Sequence, residues 1–378
     1  MTPHADDAQK AAPETSGPTV LHVGPGEKLT VPSAAARVAR DGDVIEIEAG
    51  TYPGDAAVWR QHRLTIRGVG GRAHMRADGA QVEGKAIWVI KGNDTTVLNV
   101  EFSGAKVPDN NGAGIRLEGR GLTLRDCYFH NNENGILTNP DPASDIVIEH
   151  SEFAHNGAGD GFTHNIYIGK IRSFTLRYSY SHHAHEGHLV KSRAVENHIL
   201  YNRLTDEDGD ASYEIDLPQD GLSFIIGNLI QKGPNGRNPT LVTYGEEFPR
   251  TNGRQELYVV NNTFVNDYGS GTFLFVSSGT ATRIVNNILA GSGTALRGPG
   301  ELHNNVTGRR SDFVDPTNFD YRLKARAAAV GRGTEPGSAH GVELRPAEEY
   351  VHKAQGRPRS NSGKLDAGAL EYRPDVRP

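Results

Sequence analysis

Two pairs of charged residues, each pair spaced two apart, carry the clearest chemical suggestion in the 378-residue sequence: Lys191 with Arg193, and Glu214 with Asp216. Each pair falls in a short β-prone segment, and side chains at i and i+2 of a strand share a face. If the two strands stack as neighbouring rungs, two cations and two carboxylates form one patch. A lysine that takes the proton next to a uronate carboxylate, with an arginine neutralising that carboxylate, suits β-elimination. Arg193, of like charge, opposes protonation of Lys191, as a general base requires. Two carboxylates on one strand face, about 6.5–7 Å apart, instead approach the separation used by inverting glycoside hydrolases. A third class is non-catalytic, a glycan-binding or structural solenoid.

The neighbours of these pairs complete a candidate site. His164, His188 and Tyr167 are candidates to protonate the leaving oxygen, and Asn165, Glu214, Asp216, Tyr244 and His185 are candidate substrate contacts. The strands NIYI and YEID alternate so that Ile166, Ile168, Tyr213 and Ile215 face a core, which turns Asn165, Tyr167, Glu214 and Asp216 outward. Within the cluster His182, His183, His185 and His188, the first two read as polar loop residues lining a carbohydrate groove; a zinc reading of the cluster lacks an HExxH motif or paired cysteines. The run Asp206-Glu207-Asp208-Gly209-Asp210 offers hard oxygen for Ca²⁺ without the EF-hand pattern, and Asp206 and Asp208, with Glu186, are the candidate metal ligands.

These residues need a regular scaffold, and the sequence supplies one. Segments of the form apolar-x-x-Asn/Ser-x-apolar recur with fourth positions at Cys127, Ser151, Ser179, Asn202, Asn228, Asn262 and Asn287, spaced 24, 28, 23, 26, 34 and 25 residues apart. Such a period predicts one solenoid coil per repeat, with the polar residue stacked at a corner and the flanking Leu, Ile, Val and Phe stacked inside. A sandwich predicts no fixed corner column, and a doubly wound fold would need helices between strands. Each coil offers a second strand after its corner, as in GILT, NIYI, HLVK, YEID, LVTY and FLFV. A short helix over Pro32–Arg40 closes the first coil, which would otherwise expose apolar surface and a strand edge. The fold class expected is all-β, a parallel β-helix over residues 19–326, preceded by a polar spacer at 1–18 and followed by a covering tail at 327–378.

Composition agrees and sets limits. The chain has 45 Gly, 36% hydrophobic residues and a net charge of −6 with both signs scattered, so no basic surface argues for nucleic acid. The one cysteine, Cys127, excludes an intramolecular disulfide. No apolar run is long enough for a transmembrane helix. The Ala/Pro/Thr/Ser-rich opening resembles the spacer after an export-signal cleavage site, so a secreted or periplasmic monomer is expected, with a cytoplasmic protein as the alternative.

The run Lys191-Ser192-Arg193-Ala194-Val195-Glu196-Asn197, followed by Asn202 at the next corner and the YEID strand, resembles the catalytic coil of the β-helix polysaccharide lyases that include chondroitinase B and alginate lyases. The cap "DGDVIEIEAGTY" and the closing "DAGALEY" likewise resemble the ends of right-handed parallel β-helix proteins. The resemblance implies an acidic polysaccharide or oligosaccharide as substrate, Lys191 as base and Glu186 as one Ca²⁺ ligand. It departs where that group places an arginine on the following coil: Glu214 stands there, and Arg193 is the available substitute.

Overall fold

The computed structural model describes residues 17–248, 252–277, 280–360 and 363–374; most of the proposed spacer lies outside them. Successive short strands return to the same place after each coil and pair in parallel with their predecessors. One ladder of ten strands starts at Ala57–Trp59 and ends at Thr294–Arg297; the other two ladders run side by side as one 21-stranded sheet. The molecule is a parallel β-helix.

The corner column forms as the repeat predicts. The Asn202 Nδ2 donates to Asn228 Oδ1 at 3.0 Å, Asn228 to Asn262 at 2.9 Å and Asn262 to Asn287 at 3.0 Å, with Asn305 adding a rung. Each corner is entered through a residue of positive φ, such as Tyr201 (φ 55°) and Asn261 (φ 51°), which breaks the strand and swings the chain onto the next face. Inside, Phe102, Phe129 and Phe153 stack at 4.9 Å between centroids, the rise of one coil.

The helix Pro32–Val38 buries Pro32, Ala35 and Ala36 over the first coil, ending two residues earlier than expected. The tail does not simply close the far end. It runs back along the side of the solenoid, where Leu344 packs with Leu222, Phe224 and Val260, and Tyr350 and Leu370 pack with Tyr180 and Leu229. Two antiparallel hairpins, Ser338–Ala339 with Val342–Glu343 and Glu348–Val351 with Gln355–Pro358, form in a stretch whose sequence has no period. Among the described residues no helix is long and apolar enough to cross a membrane.

Candidate functional site

The ten-stranded ladder brings the candidate residues together through register. Tyr167 pairs with Lys191, Lys191 with Asp216 and Asp216 with Thr243, so the four occupy one outward column on successive coils. Two coils earlier the same column holds Arg116, which pairs with Leu137, itself opposite Tyr167.

At the centre, Lys191 Nζ lies 3.0 Å from Asp216 Oδ2 and 3.3 Å from Glu247 Oε1. The second oxygen of Glu247 meets Arg193 Nη1 at 2.6 Å. The two cations are therefore bridged by a carboxylate rather than set against each other as a like-charged pair. Arg193 Nε donates to Tyr167 Oη at 2.9 Å, which leaves the phenol's own hydrogen free to point elsewhere. Asp216 is 4% exposed; burial raises its proton affinity against the opposing pull of Lys191 and the Thr243 hydroxyl.

His164 and His188 lie beneath this group, stacked at 4.4 Å. His164 Nδ1 accepts the His188 backbone N–H at 3.0 Å and His188 Nδ1 accepts that of Tyr213 at 3.3 Å, which fixes both rings as Nε2–H tautomers. The Nε2 of His188 then stands 3.4 Å from Asp216 Oδ2. Burial, then the nearby cations, holds both imidazoles well below their ordinary pKa. They back the site and are too deeply buried to hand a proton to a polymer.

Several expected placements are corrected. Glu214 does not share the outer face with Asp216: the strand spans only Ile215–Leu217, Glu214 sits at the corner before it, and its fully buried carboxylate lies 2.8 Å from the equally buried Lys232. The hydrolase pair of Glu214 and Asp216 on one accessible face therefore does not form. Asn165, also one residue before its strand, turns inward, where it accepts from Asn156 and donates to Ser181 and to the His182 carbonyl. Tyr244 points inward and donates to the Gly221 carbonyl. His185 stands apart, 3.2 Å from Asp210. Glu186 pairs with Arg237, Asp208 with His183, and Asp206 is buried with Ala211 N–H on one oxygen. The three proposed Ca²⁺ ligands, each engaged by a different partner, do not converge.

Glu247, Arg116 and Lys170 went unrecognised in the sequence. Arg116 was findable, two coils before Tyr167 on the same column; Glu247 lies in an aperiodic loop where nothing local marks it. An open groove of about 750 Å³ runs over the earlier coils, lined by Arg116, Tyr167, Lys170 and Arg193, with Asp109 and Asp160 at its side. Lys191 is not part of that lining; it adjoins Arg193 through the carboxylate of Glu247 that both cations share.

Comparison with known proteins agrees with this architecture. A family model described as a right-handed β-helix region matches residues 63–212. No curated protein matches the sequence. Among solved structures, pectate lyase Pel9A superposes with a TM-score of 0.56 at 14% identity, covering 95% of this chain and 97% of that one. An alginate lyase from Paenibacillus sp. str. FPU-7 gives 0.46 at 14% identity, over 73% of this chain and 95% of that one. Pectin methylesterase PemA from Erwinia chrysanthemi gives 0.39 at 11%, over 59% and 81%. At these identities the likeness is one of fold, and the chain is a right-handed parallel β-helix resembling polysaccharide lyases.

Proposed function

We propose that the protein cleaves an acidic, uronate-containing polysaccharide by β-elimination at Lys191, beside the groove lined by Tyr167 and Arg193. The observation that carries this reading is the column Tyr167, Lys191, Asp216 with Arg193 beside it, a base and a neutralising cation on one accessible face. Arg193 pairs with the uronate carboxylate and stabilises the enolate that develops from it. Asp216 lies 3.0 Å from Lys191 Nζ and its burial favours the protonated carboxyl, so it is the acceptor placed to take the ammonium proton that Lys191 must shed before it can act as a base. Lys191 Nζ then removes the hydrogen from the carbon bearing the carboxylate. The electron pair of that C–H bond becomes a new C=C bond, the glycosidic C–O bond on the adjacent carbon breaks, and Tyr167, whose oxygen accepts from Arg193 and whose own hydrogen remains to be donated, protonates the departing oxygen. A secreted or periplasmic monomer suits a polymer substrate.

The test is mass spectrometry of products from a panel of uronate-containing and neutral polysaccharides, with added Ca²⁺ and with a chelator. Products carrying an unsaturated uronate, one water lighter than hydrolysis products, are expected. Saturated products alone would overturn the reaction, and no product from any substrate would leave binding as the function.

Glu247 occupies the position at which a substrate carboxylate would meet Lys191 and Arg193, and it is more exposed than either cation. Substrate must displace it. Glu247→Gln is therefore expected to lower KM for a uronate oligosaccharide several-fold, read from initial rates; a raised KM would show that Glu247 helps hold the sugar instead.

A further inference from the structure

Outside the groove, the corner after each coil's third strand gathers histidines. The His155 residue follows the strand Glu152–Ala154; one coil later His182 ends the equivalent strand, Tyr180–His182, and His183 follows it. Because Ala154 pairs with His182, His155 and His183 occupy the same corner on adjacent coils, both with left-handed backbone (φ 53° and 47°). The three rings lie 4.8 to 5.7 Å apart between centroids, and one nitrogen from each falls within 4.8 Å of the other two.

The outer partners decide what those nitrogens are. His182 Nε2 is 3.2 Å from Glu152 Oε1 and His183 Nε2 is 2.9 Å from Asp208 Oδ1. A carboxylate accepts, so each ring carries its proton on Nε2 and presents a bare lone pair on Nδ1. The two Nδ1 atoms face each other at 2.6 Å. Two lone pairs at that distance repel, and a cation belongs between them, either a shared proton or a metal. A carboxylate behind each imidazole is the arrangement that orients histidine ligands on a metal and raises their basicity.

We propose that His155, His182 and His183 bind a divalent transition metal, Zn²⁺ by ligand type, with Glu152 and Asp208 holding two of the rings. Metal–nitrogen distances of about 2.0–2.1 Å require the two facing nitrogens to open to about 3.4 Å and His155, which is exposed, to swing inward. That leaves a fourth position for water. The metal would staple two consecutive coils at the corner from which the loop to His188 departs. The other convergent grouping, His74, Glu101 and His130, is different in kind: the Glu101 carboxylate lies 3.1 Å from His130 Nε2 and 3.5 Å from His74 Nε2, so both rings point at an acceptor already supplied.

The test is titration of chelator-stripped protein with Zn²⁺ against a chromophoric competitor, repeated with Co²⁺ to read coordination from its visible bands. One equivalent should bind, with Co²⁺ bands of a four-coordinate site. His155→Ala and His183→Ala should each weaken binding about tenfold or more, and Asp208→Asn by about tenfold, while His74→Ala leaves it unchanged. His155 and the Asp208 side chain are exposed, so those variants retain the fold, checked by thermal midpoint. No tight equivalent, or binding indifferent to His155 and His183, would overturn the site and assign the 2.6 Å contact to a shared proton.

Discussion

Replacing Lys191 with alanine is expected to reduce the release of unsaturated products by at least about 100-fold, the lower end of what one positioned base supplies. The variant also removes the partner of Asp216, so activity and stability must be separated. Lys191→Arg does this: it keeps a cation against Asp216 and Glu247 but cannot give up its proton at working pH. The arginine variant should melt within a few degrees of the wild type and remain as inactive as the alanine variant. In Lys191→Ala, stability should depend on pH in a definite sense. Asp216 has its folded pKa raised above its unfolded value by burial, so the stability it contributes is whole below the unfolded pKa and is lost as pH rises through the folded one. Without Lys191 the carboxylate is met, among the described residues, by Thr243 and His188. The deficit of Lys191→Ala should be small near pH 4 and grow towards pH 8, to about 3 kcal/mol, the low end for breaking a buried pair. Urea unfolding at both pH values with product assays on the two variants checks this. An active Lys191→Arg, or an active Lys191→Ala that is merely less stable, would reduce Lys191 to an ion-pair partner.

Why some of this site was readable and some was not follows from where periodicity applies. The corner asparagines could be found because every coil must satisfy the same backbone groups at the same bend, so Asn202, Asn228, Asn262 and Asn287 repeat. Tyr167, Lys191 and Asp216 could be placed on one face because all three lie inside strands, where alternation holds. Asn165 and Glu214 were misplaced because they precede their strands by one residue, and at a corner the side chain turns inward regardless of the parity of its neighbours. Tyr244 lies within its strand, and alternation there gives Thr243, not Tyr244, the outward place. Contacts between loops, such as Glu247 with Arg193 or Glu186 with Arg237, join residues 54 and 51 positions apart in segments without a repeat. The histidine corner lies between these cases. His182 and His183 stand out in the sequence, but His155 and the carboxylates behind the rings arrive from neighbouring coils, and only the register aligns them.

The largest effect on stability is expected at Lys232. Its ammonium and the Glu214 carboxylate lie 2.8 Å apart with both side chains wholly removed from water, and Asp206 is buried nearby. Lys232 also donates to the Ala211 and Ser212 carbonyls, tying the loop after Asp206 to the coil that bears Glu214. Lys232→Met removes a cation that compensates these carboxylates, and the loss is expected to approach about 3–5 kcal/mol as pH reaches 8 and above, where Glu214 ionises in the wild type. Burial pushes the Glu214 carboxyl from 4.5 up to about 8 and that of Asp206 from 3.8 to about 6. Both groups thus bind protons more tightly in the folded chain. Their contribution to stability is whole below pH 4 and is lost as pH rises through 6 and then 8, so the wild type should itself weaken across that window. Without Lys232 the carboxylates hold their protons more strongly still, and the deficit of Lys232→Met should be smaller at pH 5 than at pH 8. Adding Glu214→Gln removes the stranded charge, so the double variant should recover much of the loss and lose most of its pH dependence. Urea unfolding at pH 5, 7 and 8 decides the matter: a double variant no better than Lys232→Met would mean that the loop contacts of Lys232, rather than its charge, hold this part of the solenoid. Recovery would instead make the pair an electrostatic anchor one residue from the strand that carries Asp216, rigid because neither charge can leave without the other.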